Sequence, residues 1–161
     1  MNILKKLCSL FAVFVLTMST VSCSNDDDEI VVTEPGLTPS QVLASTPWET
    51  TDSKNQNGQS VPLTDPNVAN FVGFAYFKAN GTFTMYNLDD SPKMHGDWSV
   101  SADGSTRTIV AKDNNGNVLF TRVVKITVLT KQEFTYRIYP DANDTSVYYD
   151  IIHTPTNHPE P

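Results

Sequence analysis

The sequence predicts an all-β domain built as an eight-stranded antiparallel up-and-down barrel, with a two-sheet β-sandwich as the alternative. From Trp48 onward, apolar and polar residues alternate with a period of two, as in half-buried strands. Turn signals such as Asn80-Gly81 and Asn115-Gly116 separate these stretches. The short connections favour antiparallel neighbours, and strands in meander order can close into a barrel without edges.

Short helical turns are expected near the start of the domain. Thr38-Pro39 is typical of a helix N-terminus, with threonine as N-cap and proline at the first helical position, and Pro47 predicts that this helix ends just before it. Residues 57–63 predict an additional hairpin, and residues 65–70 a second helical turn. The predicted strands are, in order, 48–52, 71–77, 82–88, 94–101, 107–112, 118–130, 133–139 and 146–153.

The first 22 residues have the organisation of an export signal. Two lysines precede an apolar stretch, residues 7–16, which is about half the length that a membrane-spanning helix needs. The following Thr20-Val21-Ser22-Cys23 resembles a bacterial lipoprotein processing site. The resemblance implies that Cys23 is acylated, by palmitate among other chains, and anchors the mature protein to a membrane.

Residues 24–29 are strongly acidic and resemble the stretch that follows the lipidated cysteine in many Bacteroidetes lipoproteins. This resemblance implies an outer-membrane lipoprotein displayed on the cell surface, with the periplasmic face as the alternative. The predicted organisation is a signal peptide over 1–22, a flexible acidic tether over 23–37, a barrel domain over 38–154 and a disordered tail over 155–161.

Composition excludes several classes of protein. The 161 residues include 11 basic and 18 acidic side chains, so the chain lacks the clustered positive charge that nucleic-acid binding requires. Cys8 is expected to leave with the signal peptide and Cys23 to be acylated, so no disulfide can form and an apolar core must stabilise the domain. We expect a monomer.

Several segments resemble small, uncharacterised lipocalin-like lipoproteins of Bacteroidetes. They are residues 78–83, 96–100 and 133–138, together with the helical turn that leads to a tryptophan on the first strand. The resemblance implies a lipocalin-like barrel, in which residues 53–70 form a lid over the mouth. It also implies that an arginine from a late strand packs on Trp48, with Arg137 as the candidate and Arg122 as the other option.

Aromatic residues are frequent on the predicted strands and suggest two different functions. As the wall of a cavity, they would bind a small hydrophobic molecule. The candidate wall consists of Phe74, Tyr76, Phe83, Trp98 and Tyr136. Alternatively, aromatic side chains fill the barrel, and the loops at 89–93 and 141–146 contact a protein or a glycan.

Nothing in the sequence predicts catalysis, a cofactor or a metal site. His95, His153 and His158 lack metal-ligand spacing, and no serine lies in a nucleophile elbow. Residues 113–117 resemble a calcium loop only partly and are explained by a hairpin turn. Asp97 and Asp150 could form an acid–base pair, as any two strand carboxylates could. We therefore expect no enzymatic activity.

Overall fold

The computed structural model describes residues 36–161, and its strands form one closed antiparallel barrel. The elements are α1 (Pro39–Leu43), β1 (Trp48–Asn55), β2 (Phe74–Phe77), β3 (Thr82–Tyr86), β4 (Pro92–Val100), β5 (Thr106–Lys112), β6 (Val118–Leu129), β7 (Phe134–Ile138) and β8 (Tyr149–Pro155). Each strand pairs with the next, and β8 pairs with β1. The predicted barrel is therefore confirmed, and the alternative sandwich is ruled out. The predicted signal peptide, Cys8, Cys23 and the tether up to residue 35 lie outside the described residues.

The helix α1 begins where the sequence predicts, because its cap is complete. Thr38 Oγ1 accepts a hydrogen bond from Gln41 N, and Gln41 Oε1 accepts one from Thr38 N, so the two residues form a capping box. The helix buries Val42 and Leu43 against the barrel. Among the described helices, none is long and apolar enough to cross a membrane.

The connection from β1 to β2 differs from the prediction. The additional strand at 60–63 is reduced to a single bridge between Lys54 and Ser60. The second helical turn is a short 3-10 helix, Ala69–Phe71. Strand β2 then begins at Phe74, because Gly73 has a φ of 150°, which favours glycine over any residue with a Cβ.

Aromatic side chains fill the end of the barrel that α1 covers. The Trp48 Nε1 donates a hydrogen bond of 2.8 Å to Leu43 O, which ties the first strand to the helix. The Trp48 ring meets the Phe134 ring edge-on, with centroids 5.9 Å apart. Phe77 packs edge-on against both Phe134 and Trp98. This end of the barrel therefore has a solid floor.

The segment after β8 packs on the outside of the barrel, so the predicted disordered tail is wrong. Thr156 N donates to Pro47 O, and Glu160 forms an ion pair with Lys78 at 2.9 Å. The imidazole of His158 stacks on the Phe74 ring. The prolines that suggested disorder instead hold an extended segment across β2 and β3, where an apolar surface is available to cover.

Candidate functional site

Three of the five residues predicted to form a ligand wall face the barrel interior, and two do not. Phe83, Trp98 and Tyr136 belong to the buried core. Phe74 and Tyr76 lie on the outer face of β2, beneath residues 156–161. They are buried by that segment, not by the barrel, so their assignment to the wall is corrected.

The error has a simple physical cause. All four residues of β2 are buried, so both faces of the strand are covered. Both faces are also apolar in sequence, and the alternation of apolar and polar residues therefore cannot show which face points inward. The inward positions are Ala75 and Phe77, which pack in the core cluster. Tyr76 is held outside by a hydrogen bond of 2.7 Å between its hydroxyl and His158 Nδ1. Burial, and then the charge of Asp90, raise the pKa of this tyrosine.

Phe83 and Trp98 complete the floor and do not line a cavity for a ligand. Their rings pack on Phe77, at 6.3 and 5.2 Å between centroids. Trp98 Nε1 donates a hydrogen bond of 3.0 Å to Lys78 O. Of the predicted wall residues that face inward, Tyr136 reaches the recess described below.

The expected contact between Trp48 and Arg137 is also wrong. Arg137 Nε and Nη2 donate to the two carboxylate oxygens of Asp150 at 2.8 and 3.0 Å, and its guanidinium lies 3.6 Å from the centroid of the Tyr148 ring. Because Tyr136 on the same strand faces inward, Arg137 must face outward. The other option, Arg122, packs on different rings, as described below.

The arginine inside the barrel is Arg107, which the sequence analysis missed. Its guanidinium carbon lies 4.5 Å from the centroid of Tyr136, 5.4 Å from Phe134 and 5.6 Å from Phe77. The residue is 2% exposed, and its Nε has no hydrogen-bond partner within the described protein. A signal for it existed, because Arg107 shares its alternation with the buried Ile109 and Ala111 on β5.

Burial weakens the charged forms of the groups around this arginine. It lowers the pKa of Arg107 itself, and Tyr136 opposes that shift. Burial raises the pKa of Tyr136, so the phenol remains protonated at neutral pH. Burial, together with the charge of Arg107, lowers the pKa of His153 to about 3, and His153 Nδ1 lies 3.2 Å from Phe134 O. Tyr136 and His153 are therefore neutral neighbours of a buried cation.

A small recess lies above Arg107, at the end of the barrel opposite α1. It has a volume of about 20 Å³, enough for about one water-sized group. Residues 70–73 close it on one side. Three cations line it, Arg107, Arg122 and Lys93, and none of its lining residues is an aspartate or a glutamate.

Arg122 and Lys93 reach the recess for different reasons. Arg122 lies on β6, with its guanidinium carbon 5.0 Å from the centroid of Phe71 and 5.1 Å from that of Phe120. The pairing of β3 with β4 shifts register at Lys93, which is therefore left without a partner on β3. Lys93 Nζ donates a hydrogen bond of 2.6 Å to Val72 O, and burial followed by the charge of Arg122 lowers its pKa.

A larger cleft opens beside the recess at the rim of the barrel. Its volume is about 420 Å³, and four residues line both spaces: Met85, Tyr86, Lys93 and Met94. Apolar side chains from the opposite hairpin complete it, namely Ala111, Leu119 and Phe120. The last pair between β4 and β5 at this end joins His95 to Lys112, and the residues beyond that pair separate and form the cleft.

The remaining polar candidates form structural contacts. Asp97 binds Lys112 and Asp150 binds Arg137, so the two carboxylates do not form a pair with each other. Asp113 accepts hydrogen bonds from the backbone of residues 115 and 117, as a hairpin turn requires. Within residues 36–161, no group of three or more histidine, cysteine or acidic side chains could hold a metal ion.

A family model described as a domain of unknown function (DUF4822) matches residues 40–161. No curated protein sequence matches the chain. The chain is similar to the crystal structure of a lipocalin-like protein from Bacteroides uniformis, at 16% identity and a TM-score of 0.47, covering 71% of this chain and 99% of that one. A biogenic amine-binding protein is similar at 12% identity and a TM-score of 0.37, covering 70% of this chain and 64% of that one.

Proposed function

Since this chain belongs to the DUF4822 family of domains of unknown function, we propose a role for it from its own residues. The protein is a lipid-anchored binding module of the cell envelope. The barrel carries a small molecule without transforming it. The observation that supports binding is the rim cleft of about 420 Å³ beside the recess, since ligand pockets typically occupy about 300–1,000 Å³.

The site differs from a ligand cavity at the centre of the barrel. The interior below the recess is packed with the aromatic floor, which leaves no room there for a hydrophobic ligand. The cleft instead offers the apolar side chains of Met85, Met94 and Phe120, with Lys112 and Asp113 at its polar side. A ligand with an apolar body would lie in this cleft and direct one end toward Arg107.

The anchor and the location are proposed from the sequence. Cys23 follows an export-type apolar segment and a processing site of the lipoprotein type, and an acidic stretch comes directly after it. We place the protein on the outer membrane, facing the cell exterior, with the periplasmic face as the alternative. The chain would then present its barrel to small molecules outside the cytoplasm.

Filling the cleft tests the binding function. Replacing Leu119, an exposed residue of the cleft lining, with tryptophan puts a larger side chain at the cleft, whereas replacing Ala79 with leucine alters an exposed turn at the other end of the barrel. A library of small apolar and amphipathic molecules is screened by native mass spectrometry against both variants and the unaltered protein. Ligands that bind the unaltered protein and Ala79→Leu but not Leu119→Trp support the proposal. An unaltered protein that retains no library member overturns it.

Labelled palmitate tests the anchor. Cys23→Ala should abolish incorporation of the label and release the protein from the membrane fraction, while Cys8→Ala should leave both unchanged. Protease added to intact cells then distinguishes the two faces of the membrane, because only a surface protein is digested. Label retained by Cys23→Ala would contradict the anchor.

A second candidate function, contact with a protein or a glycan through the outer surface, has one supporting observation. Val118 and Val123 on β6 are 59% and 62% exposed and line neither the recess nor the cleft, so they leave apolar surface outside the proposed site. Isolated exposed apolar residues are common, but several on one strand are typical of a contact surface. Glycan-array binding that is lost in a Val118→Ser, Val123→Ser double variant would favour this function.

A further inference from the structure

We infer that the ligand is a small amphipathic carboxylate, whose carboxylate enters the recess above Arg107 while its apolar body lies in the rim cleft. This inference rests on the proposed binding function and specifies the chemical class of its ligand. The geometry that supports it is the convergence of Arg107, Arg122 and Lys93 on one recess without an acidic residue in the lining.

Charge balance is the first argument. A cation buried in a protein is normally paired, because removing it from water costs several kcal/mol in practice. Arg107 is 2% exposed, and the described residues around its recess add two further cations and no carboxylate. The nearest titratable neighbours, Tyr136 and His153, are neutral and cannot balance the charge. An anion from outside the protein would do so.

The unpaired donor is the second argument. Buried polar groups are nearly always hydrogen-bonded, and an orphaned one requires an explanation. Arg107 Nε lacks a partner in the described protein, although the guanidinium is surrounded by rings that fix its position. A carboxylate oxygen is the natural acceptor for this donor, because charge-assisted hydrogen bonds of this kind are about twice as strong as neutral ones.

Size and apolarity define the ligand further. The recess holds about one water-sized group, so one oxygen of a planar carboxylate can enter it toward Arg107, whereas a tetrahedral phosphate is too bulky to approach as closely. The adjoining cleft contributes Met85, Met94 and Phe120, which favour an alkyl or aryl body. An amine, the ligand class in the name of the second structural neighbour, would add a fourth positive charge and should be rejected.

Calorimetry on the full-length protein in a neutral sugar-based detergent tests the inference with four matched probes. These are hexanoate, 1-hexanol, hexylamine and hexyl phosphate, which all contain six carbons in a linear chain and differ in the head group. We expect hexanoate to bind at least tenfold more tightly than each of the other three. Arg122→Gln and Arg107→Met should each weaken hexanoate by about tenfold to a hundredfold and leave hexanol unchanged.

A control and a second variant keep the result interpretable. Lys125→Gln removes a cation from the exposed outer face of the same strand as Arg122 and should not change hexanoate affinity. Arg122 is only partly buried, so its variant tests the recess even if Arg107→Met fails to fold.

The outcomes separate the two proposals. Equal binding of hexanoate and hexanol, or a preference for hexylamine or hexyl phosphate, overturns the carboxylate inference and leaves the binding function intact. Hexanoate binding that is unaffected by both arginine variants also overturns the inference. If none of the four probes binds and the library screen also finds no ligand, both proposals fail.

Discussion

His158 stacks face to face on Phe74, with ring centroids 3.9 Å apart and planes within 8° of parallel. The same imidazole contacts the Tyr76 hydroxyl through Nδ1 at 2.7 Å and an Asp90 carboxylate oxygen through Nε2 at 3.2 Å. One side chain thus joins the segment after β8 to the outer face of β2 and to the β3–β4 turn. This single contact explains why two aromatic residues expected to face the interior are buried on the outside.

We expect His158→Ala to destabilise the barrel. The substitution removes the stack on Phe74 and leaves the Tyr76 hydroxyl with weaker partners, at a cost of about 1–3 kcal/mol. Urea unfolding measures the loss, and Asn157→Ala, a change at an exposed neighbour, is the control. Equal midpoints for the two variants would show that the contacts of His158 do not stabilise the fold.

Arg107, inside the barrel, and Arg137, on its outer face, should change the stability of the protein in opposite directions when each is replaced by methionine. Arg107→Met removes a buried, unbalanced cation and should preserve or raise the stability of the ligand-free protein, by up to about 2 kcal/mol. Arg137→Met breaks a two-point contact with Asp150 and should lower stability by about 1–3 kcal/mol. Thermal unfolding compares them. A large loss in Arg107→Met would mean that its ring contacts outweigh the cost of burial.

Acid should destabilise the protein through His153. Its pKa is about 3 in the folded state and near 6.5 when unfolded, so below pH 6.5 the unfolded chain binds a proton that the folded chain does not. Burial and the charges of Arg107 and Lys93 cause the difference. Stability is therefore fully present above pH 6.5 and falls by roughly 1 kcal/mol per pH unit between about 6 and 3.

The His153→Phe variant isolates this effect. Its denaturant midpoint should depend less on pH between 4 and 6, the window in which His153 titrates only in the unfolded chain. Hydrogen bonds from Ser101 and Ser105 lower the pKa of Asp103 to about 2, so this carboxylate takes up its proton in the folded protein only below the window. Identical pH profiles for the two proteins would contradict the assignment to His153.

Glycines at strand contacts should tolerate alanine far less than glycines at turns. A Cβ on Gly96, which has a φ of 154°, would lie 2.0 Å from Val110 O. The Gly96→Ala substitution must therefore separate β4 from β5. We expect it to lower the free energy of unfolding by more than about 4 kcal/mol, which is a large loss for a single substitution. Gly116 has open space around it and a φ of 84°, so Gly116→Ala should cost only about 1–2 kcal/mol. Circular dichroism during thermal unfolding measures both. Similar losses in the two variants would show that backbone strain, not the clash, dominates.

Local chemistry made most of the fold predictable. The turns, the capped α1 and the order of the strands follow from short-range signals such as Thr38-Pro39 and Asn80-Gly81, which act within a few residues. The orientation of β2 was not predictable, because both of its faces are apolar and only tertiary contacts decide between them. The ordered conformation of residues 155–161 likewise depends on contacts with β2 and β3, which are distant in the sequence.

The candidate site was harder to predict than the fold. Arg107 shares the inward face of β5 with Ile109 and Ala111, but arginine is so seldom buried that this alternation is a weak signal. Lys93 reaches the recess through a register shift between β3 and β4, and the sequence of β4 does not predict this shift. Tyr136 was identified because its strand alternates cleanly. Sites formed by exceptions to a pattern are the ones that pattern analysis misses.

The pairing of β8 with β1 has a consequence for how the chain folds. Trp48 and Pro155 are partners although roughly a hundred residues separate them, a long loop to close before any contact rewards it. Until β8 is available, β1 presents an open edge that could pair with another chain. Closure of the barrel therefore requires β8, and this edge of β1 stays unpaired during synthesis until β8 has been made.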